Sequence, residues 1–149
     1  MTTTTERSIV VGVDGSDSSK AALEWAAQQA RLTGAPLVAI ATWDWPTNYG
    51  APVMWPENID FEADARKSLA QSVDQVLGAD HCSEVVQRVI HGHPAPVLEE
   101  ASREAALVVV GCRGHGEFAG MLLGSVSEFL ATHAHCPVVI VRGDEKQAD

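Results

Sequence analysis

The chain reads as an α/β protein: an open five-stranded parallel sheet with helices on both faces. Three observations lead there. Five short runs are rich in apolar, often β-branched residues, and all but the third lack polar alternation, as strands buried on both faces do. Segments with helical periodicity separate them, and strand–helix alternation implies parallel pairing. Finally, 149 residues with 46% hydrophobic content suit one domain with its own core, here residues 1–149 with polar tails at 1–7 and 144–149 expected to be flexible.

The first strand is read over Ser8–Asp14, where Ile9, Val10, Val11 and Val13 form the apolar run. Gly15-Ser16-Asp17-Ser18 is a turn that also supplies N-cap candidates. A helix follows over Lys20–Leu32, with Leu23, Ala26, Ala27 and Ala30 at helical spacing and Gly34 as its stop. Pro36–Trp43 is the second strand. The segment from Asp44 to Asn58 carries Trp45, Pro46, Gly50, Pro52, Trp55 and Pro56, so it is a long loop with bulky apolar residues. Helical periodicity returns over Phe61–Leu77, with Ala65, Leu69, Val73 and Val76 on one face.

The third strand, Glu84–Ile90, is more polar and is placed nearer an edge. A third helix spans Pro94–Glu104 with proline in its first turn. Ala106–Val110 is the fourth strand. The fourth helix, Ser125–Ala134, opens on Ser125 and Glu128 spaced as a capping box. Pro137–Arg142 is the fifth strand. Ligands of such sheets sit at the carboxyl ends of the strands, which points to Asp14, Thr42, His91 and Gly111.

Composition narrows the function. Acidic residues number 20 against 10 basic ones, a formal charge of -10, which disfavours a nucleic-acid face or an anionic membrane as partner. Neither a signal core nor a run of membrane-spanning length is present, so the expected location is the cytoplasm. Cys82, Cys112 and Cys136 make no C-x-x-C pair and no disulfide framework.

The strongest motif is Gly111-Cys112-Arg113-Gly114, then nine residues, then Gly124-Ser125. It leaves a buried strand and enters a helix. Glycines allow close backbone approach to an anion, and N–H groups at a helix start point toward it. Arg113 is a candidate charge partner for phosphate. The pattern is neither a Walker A loop nor the G-x-G-x-x-G of a dinucleotide fold. Ordinary turn and cap chemistry also accounts for these glycines.

Other candidates carry two readings each. Asp14 could hold a ribose hydroxyl or, through water, a metal on the phosphates; it could also start an Asx turn toward Gly15-Ser16. His91 and His93 could ligate a metal, but lack an evident third ligand, and turn or cap roles weigh more. His133, His135 and Cys136 look like zinc ligands, yet a histidine at a helix C-terminus also suits the dipole. Cys112 could be an acidified thiol, or a small buried one.

Taken together, Val11-Gly12-Val13-Asp14-Gly15-Ser16, Gly92-His93-Pro94, the G-x-x-G-x9-G-S loop and the ending Cys136-Pro137-Val138-Val139-Ile140-Val141 resemble a single-domain universal stress protein of the nucleotide-binding type. The resemblance covers nearly the whole chain. It implies strand order 3-2-1-4-5, in a Rossmann-like fold of the adenine nucleotide α-hydrolase kind. It implies ATP, with Mg²⁺, as the bound group. Adenine would lie near Ala41 and Thr42, and Gly12, Val13 and Asp14 would border the ribose and adenine. Val110, Gly111, Arg113, Gly114, Gly124, Ser125, Val126 and Ser127 would carry ribose and phosphates. A homodimer through Val138 to Val141 is implied as well.

Cys112 stands where serine is common in the family, and Arg113 where some members have histidine. The expected role is a nucleotide-responsive binding and regulatory module in stress response, not an enzyme. Slow ATP hydrolysis, adenylyl transfer, cyclic-nucleotide binding and a nucleotide-free interaction role stand as alternatives.

Overall fold

The computed structural model describes residues 7–45, 60–78, 84–113 and 123–143. Five strands form one sheet: β1 Ser8–Gly12, β2 Leu37–Trp43, β3 Val85–His91, β4 Ala105–Gly111 and β5 Val138–Val141. Their order is β3-β2-β1-β4-β5, and every neighbouring pair is parallel. Among the described residues four helices join them: α1 Asp17–Thr33, α2 Phe61–Leu77, α3 Pro94–Ser102 and α4 Ser125–His133. The more polar third strand does lie at the edge.

The Val-rich runs are explained by two-sided burial. Successive strand residues face opposite sides, so Val10 and Val11 belong to different cores. Val11 and Val109 pack with Leu23 and Ala26 of α1 and with Leu69 and Val73 of α2. Val10, Val108 and Val110 pack with Leu98 of α3 and Leu130 of α4. Leu23, Val11, Val73, Val108, Val109 and Leu130 have no exposed surface. Each such side chain contributes about 1.5 to 3 kcal/mol by leaving water.

Element ends differ from the sequence reading where side-chain chemistry intervenes. α1 starts at Asp17, three residues before the expected Lys20, because Ser16 caps it: its hydroxyl accepts from Ser19 N–H at 3.2 Å. Gly34 closes α1 at φ 78°, as expected. α3 stops at Ser102 rather than Glu104. The Arg103 and Glu104 N–H groups tighten onto Glu100 and Ala101 carbonyls, and the chain turns into β4. β1 ends at Gly12 rather than Asp14, although Val13 N–H still reaches the Ile40 carbonyl at 2.9 Å.

The expected capping box at Ser125 and Glu128 is not the cap of α4. Gly124 is the N-cap, and it has no side chain to offer. Its N–H donates to the Cys112 carbonyl at 2.6 Å, which fixes Gly124 in an extended conformation and makes Ser125 the first helical residue.

Candidate functional site

The carboxyl ends of β1, β2 and β4 open into one cavity. Gly12, Val13 and Asp14 line it after β1, Ala41 and Thr42 at the end of β2, and Val110, Gly111 and Arg113 at the end of β4. Gly124, Val126 and Ser127 close it from α4. Ten of the expected site residues (Gly12, Val13, Asp14, Thr42, Val110, Gly111, Arg113, Gly124, Val126 and Ser127) therefore line a single cavity. Ser125 opens α4 beside them. Gly114 lies outside the described residues, as does most of the Trp- and Pro-rich loop, residues 46–59.

Asp14 makes the Asx turn of its second sequence reading. Its Oδ1 accepts from Ser16 N–H at 2.9 Å and from Ser16 Oγ at 2.6 Å, which is an Asx turn. The same residue lines the cavity. Ser19 backs the turn, its Oγ accepting from Asp14 N–H at 3.3 Å and donating to the Ser16 carbonyl at 3.0 Å.

The neck of the glycine loop is tied at both ends. The Cys112 carbonyl accepts from Gly124 N–H and from Ser127 Oγ at 3.0 Å. Cys112 N–H donates to the Val141 carbonyl at 2.9 Å, and the Arg113 carbonyl accepts from Ser18 Oγ at 2.5 Å. The first bond of the α4 ladder runs from Glu128 N–H to the Gly124 carbonyl, so the N–H groups of Ser125, Val126 and Ser127 stand ahead of it at the positive end of the helix. Cys112 is 6% exposed, in keeping with a small buried thiol.

Two glycines serve packing as well as the cavity. A Cβ on Gly111 would come within 2.6 Å of the Ser18 carbonyl carbon, and one on Gly12 within 2.8 Å of Leu98 Cδ1. The sequence reading assigned Gly111 to close passage of a ligand. The structure shows that it also admits the start of α1. Sequence reasoning missed the walls contributed by Ser19, Ala65, Ser68, Leu69, Pro94 and Leu98. Only Ala65 and Leu69 carried a signal, as members of the inward face of α2, and that signal reads as core.

Among the described residues, His91 and His93 both face one carboxylate. His91 Nε2 lies 3.1 Å from Asp44 Oδ1 and His93 Nε2 3.3 Å from Asp44 Oδ2. His93 occupies the N-cap position of α3 without a side-chain cap bond, while Gly92 makes the turn at φ 138°. The Trp45 backbone N–H bonded to Asp44, with the two imidazoles beside it, holds the Asp44 carboxyl below its ordinary pKa. His133 Nδ1 lies 3.1 Å from the Phe129 carbonyl, and its ring stacks on Phe129. His135 Nε2 lies 3.2 Å from Glu99 Oε2. Among the described residues no group of three or more His, Cys, Asp or Glu could hold a metal ion, and no helix is long and apolar enough to cross a membrane.

Known proteins bear the same features. The model of the Universal stress protein family matches residues 6–142. A universal stress protein of Mycolicibacterium smegmatis is 39% identical over 153 residues, covering 97% of this chain and 51% of its own. The chain thus spans about half the length of the curated relatives it matches. UspA from Lactobacillus plantarum superposes with a TM-score of 0.70 at 24% identity, covering 92% of this chain and 98% of its own. A universal stress protein solved in complex with cAMP superposes with a TM-score of 0.68 at 30% identity, covering 92% and 97%. With its sheet order, its loop and this match over most of its length, the chain belongs to the universal stress protein family.

Proposed function

We propose that the cavity binds an adenine nucleotide, ATP with Mg²⁺, and that the protein acts as a nucleotide-responsive regulatory module in stress response. The observation that carries this reading is the convergence of Gly12, Asp14, Thr42, Gly111, Arg113 and Gly124 on one cavity. Such a cavity, at the carboxyl ends of parallel strands and beside a helix N-terminus, suits a nucleoside with phosphates. Apolar walls from Ile40, Leu69 and Leu98 suit a flat base. Arg113 and the start of α4 supply the positive end for phosphate. Asp14, oriented by its bonds to Ser16 on the cavity wall, would face a ribose hydroxyl or a hydrated Mg²⁺.

Binding without turnover is the favoured mode. Among the described residues that line the cavity there is no histidine, and Asp14 is the one carboxylate. A single-turnover assay with radiolabelled ATP checks this: ADP formed at a rate that survives loss of Asp14 would come from a contaminant, and turnover abolished by that change would make the protein an enzyme. A second ligand, cAMP, is favoured by the 30% identical relative solved with it. Competition between ATP and cAMP for one labelled adenine nucleotide ranks the two.

The protein is further proposed to form a homodimer through Val138 to Val141. The four residues of β5 are only partly buried, and an apolar edge strand calls for cover.

A further inference from the structure

The glycine loop leaves the sheet through two consecutive carbonyls, those of Cys112 and Arg113, and both are held by serine hydroxyls. Ser127, on α4, takes the first at 3.0 Å. Ser18, on α1, takes the second at 2.5 Å from a position 95 residues away in the chain. Carbonyl oxygens are negative ends of dipoles, and an oxygen turned toward a bound phosphate opposes it. Arg113 lines the cavity, whereas Ser18 does not, so the Ser18 hydroxyl ties the loop neck to α1 from outside the cavity lining.

The fold makes specific room for this hydroxyl. Ser18 is buried at 7% exposure. It sits where any side chain on Gly111 would strike it, and where a Cβ on Gly143 would come within 3.1 Å of its Cα and Cβ. Two glycines, one at the end of β4 and one just beyond β5, thus flank one serine on the first turn of α1. A small apolar residue would fill that space equally well. Only a hydroxyl can hold the carbonyl.

We infer that Ser18 is a positioning residue for the phosphate end of the nucleotide site, acting through the Arg113 carbonyl without touching the ligand itself. The inference depends on the nucleotide reading above. It predicts a split that a merely structural residue would not give. In Ser18→Ala the loop neck loses its tie to α1, so phosphate binding weakens while the nucleoside end is untouched.

The experiment is isothermal titration of wild type and S18A with ATP·Mg²⁺ and, separately, with adenosine, alongside a thermal melt of each. Expected is ATP binding about fivefold to tenfold weaker in S18A, the loss set by one hydrogen bond, with adenosine binding within about twofold of wild type. Equal losses for both ligands, or unchanged ATP binding, overturn the inference. So does an S18A chain that fails to fold, since the hydroxyl would then be structural. Wild type that binds neither ligand overturns the nucleotide reading itself and the positioning role with it.

Discussion

Gly111 at the end of β4 and Ser18 in the first turn of α1 meet backbone to backbone: a Cβ on Gly111 would come within 2.6 Å of the Ser18 carbonyl carbon. The glycine at the head of the loop is therefore a packing residue as well as part of the cavity wall. Gly111→Ala forces α1 away from the sheet, and overpacking of this kind costs about 1 to 3 kcal/mol. The expected result is a Tm lower by roughly 4 to 12 °C. Removing the Ser18 side chain as well, in G111A/S18G, restores only part of that, because the carbonyl carbon still obstructs. Full restoration would show that the side chain alone was in the way.

Gly12 makes the opposite case. The atom facing it is Leu98 Cδ1 at 2.8 Å, the mobile end of a side chain. Gly12→Ala should cost about 1 kcal/mol or less, with Leu98 turning aside. Leu98 also lines the cavity, so the same substitution should weaken nucleotide binding more than stability. Urea denaturation and titration on the same sample separate the two effects; a large fall in the denaturation midpoint with normal binding would contradict the assignment.

Asp44 joins the ends of β2 and β3 through His91 and His93, and its carboxyl titrates below its ordinary value of 3.8. A depressed carboxylate stabilises the fold above the unfolded pKa and loses that contribution as the pH falls through the folded one. Asp44→Asn should therefore lower the Tm at pH 6, where the carboxylate is charged. The difference from wild type should shrink as the pH falls below 3.8 and vanish once the carboxyl is protonated in the folded state too. A difference that persists in acid would mean that the carboxylate charge is not the cause.

Burial raises the Cys136 thiol above its ordinary 9.0, and a bond from the Val108 backbone and the charge of Arg7 only partly offset it. Thiolate, the reactive form, is accordingly scarce at neutral pH. Peptide mapping after a timed iodoacetamide pulse at pH 8 should show Cys136 alkylated more slowly than a free cysteine. Labelling at the free-cysteine rate would place the thiol in water.

The dimer proposal has a geometric test. The Pro137 and Val141 carbonyls accept from Val108 of β4 and from Cys112 just beyond it, so alternation turns the Val138 and Ile140 backbone groups to the outer edge. Ile140→Pro removes an outward N–H without touching the β4 ladder. Sedimentation should show a wild-type dimer and an I140P monomer. A wild-type monomer, or an unaffected variant dimer, would exclude this edge.

How far the sequence could be read depends on the range of the interaction. The strands were legible because two-sided burial leaves unbroken apolar runs such as Val108-Val109-Val110. α2 was legible because Ala65, Leu69, Val73 and Val76 keep its period; its Asp60 cap was not read from the sequence. The glycine loop, Asp14 and Thr42 were legible because their chemistry is local to strand ends.

Contacts made across the fold were not. Nothing near Ser18 in sequence announces a bond to Arg113, and nothing beside Ser125 says that Cys112 will claim Gly124 and move the helix cap by one residue. Nothing near His91 or His93 in sequence says that both will face Asp44.

The central claim is that the cavity at the carboxyl ends of β1, β2 and β4 holds an adenine nucleotide. Titration of wild type and Gly124→Val with ATP·Mg²⁺ tests it most directly. Gly124 has φ -78° and ψ 171°, which valine can adopt, so the variant should keep the fold while its side chain crowds the loop neck. The account predicts saturable binding to wild type and none to the variant, at similar Tm. No heat with wild type at high micromolar ATP, or equal binding by both proteins, would contradict it.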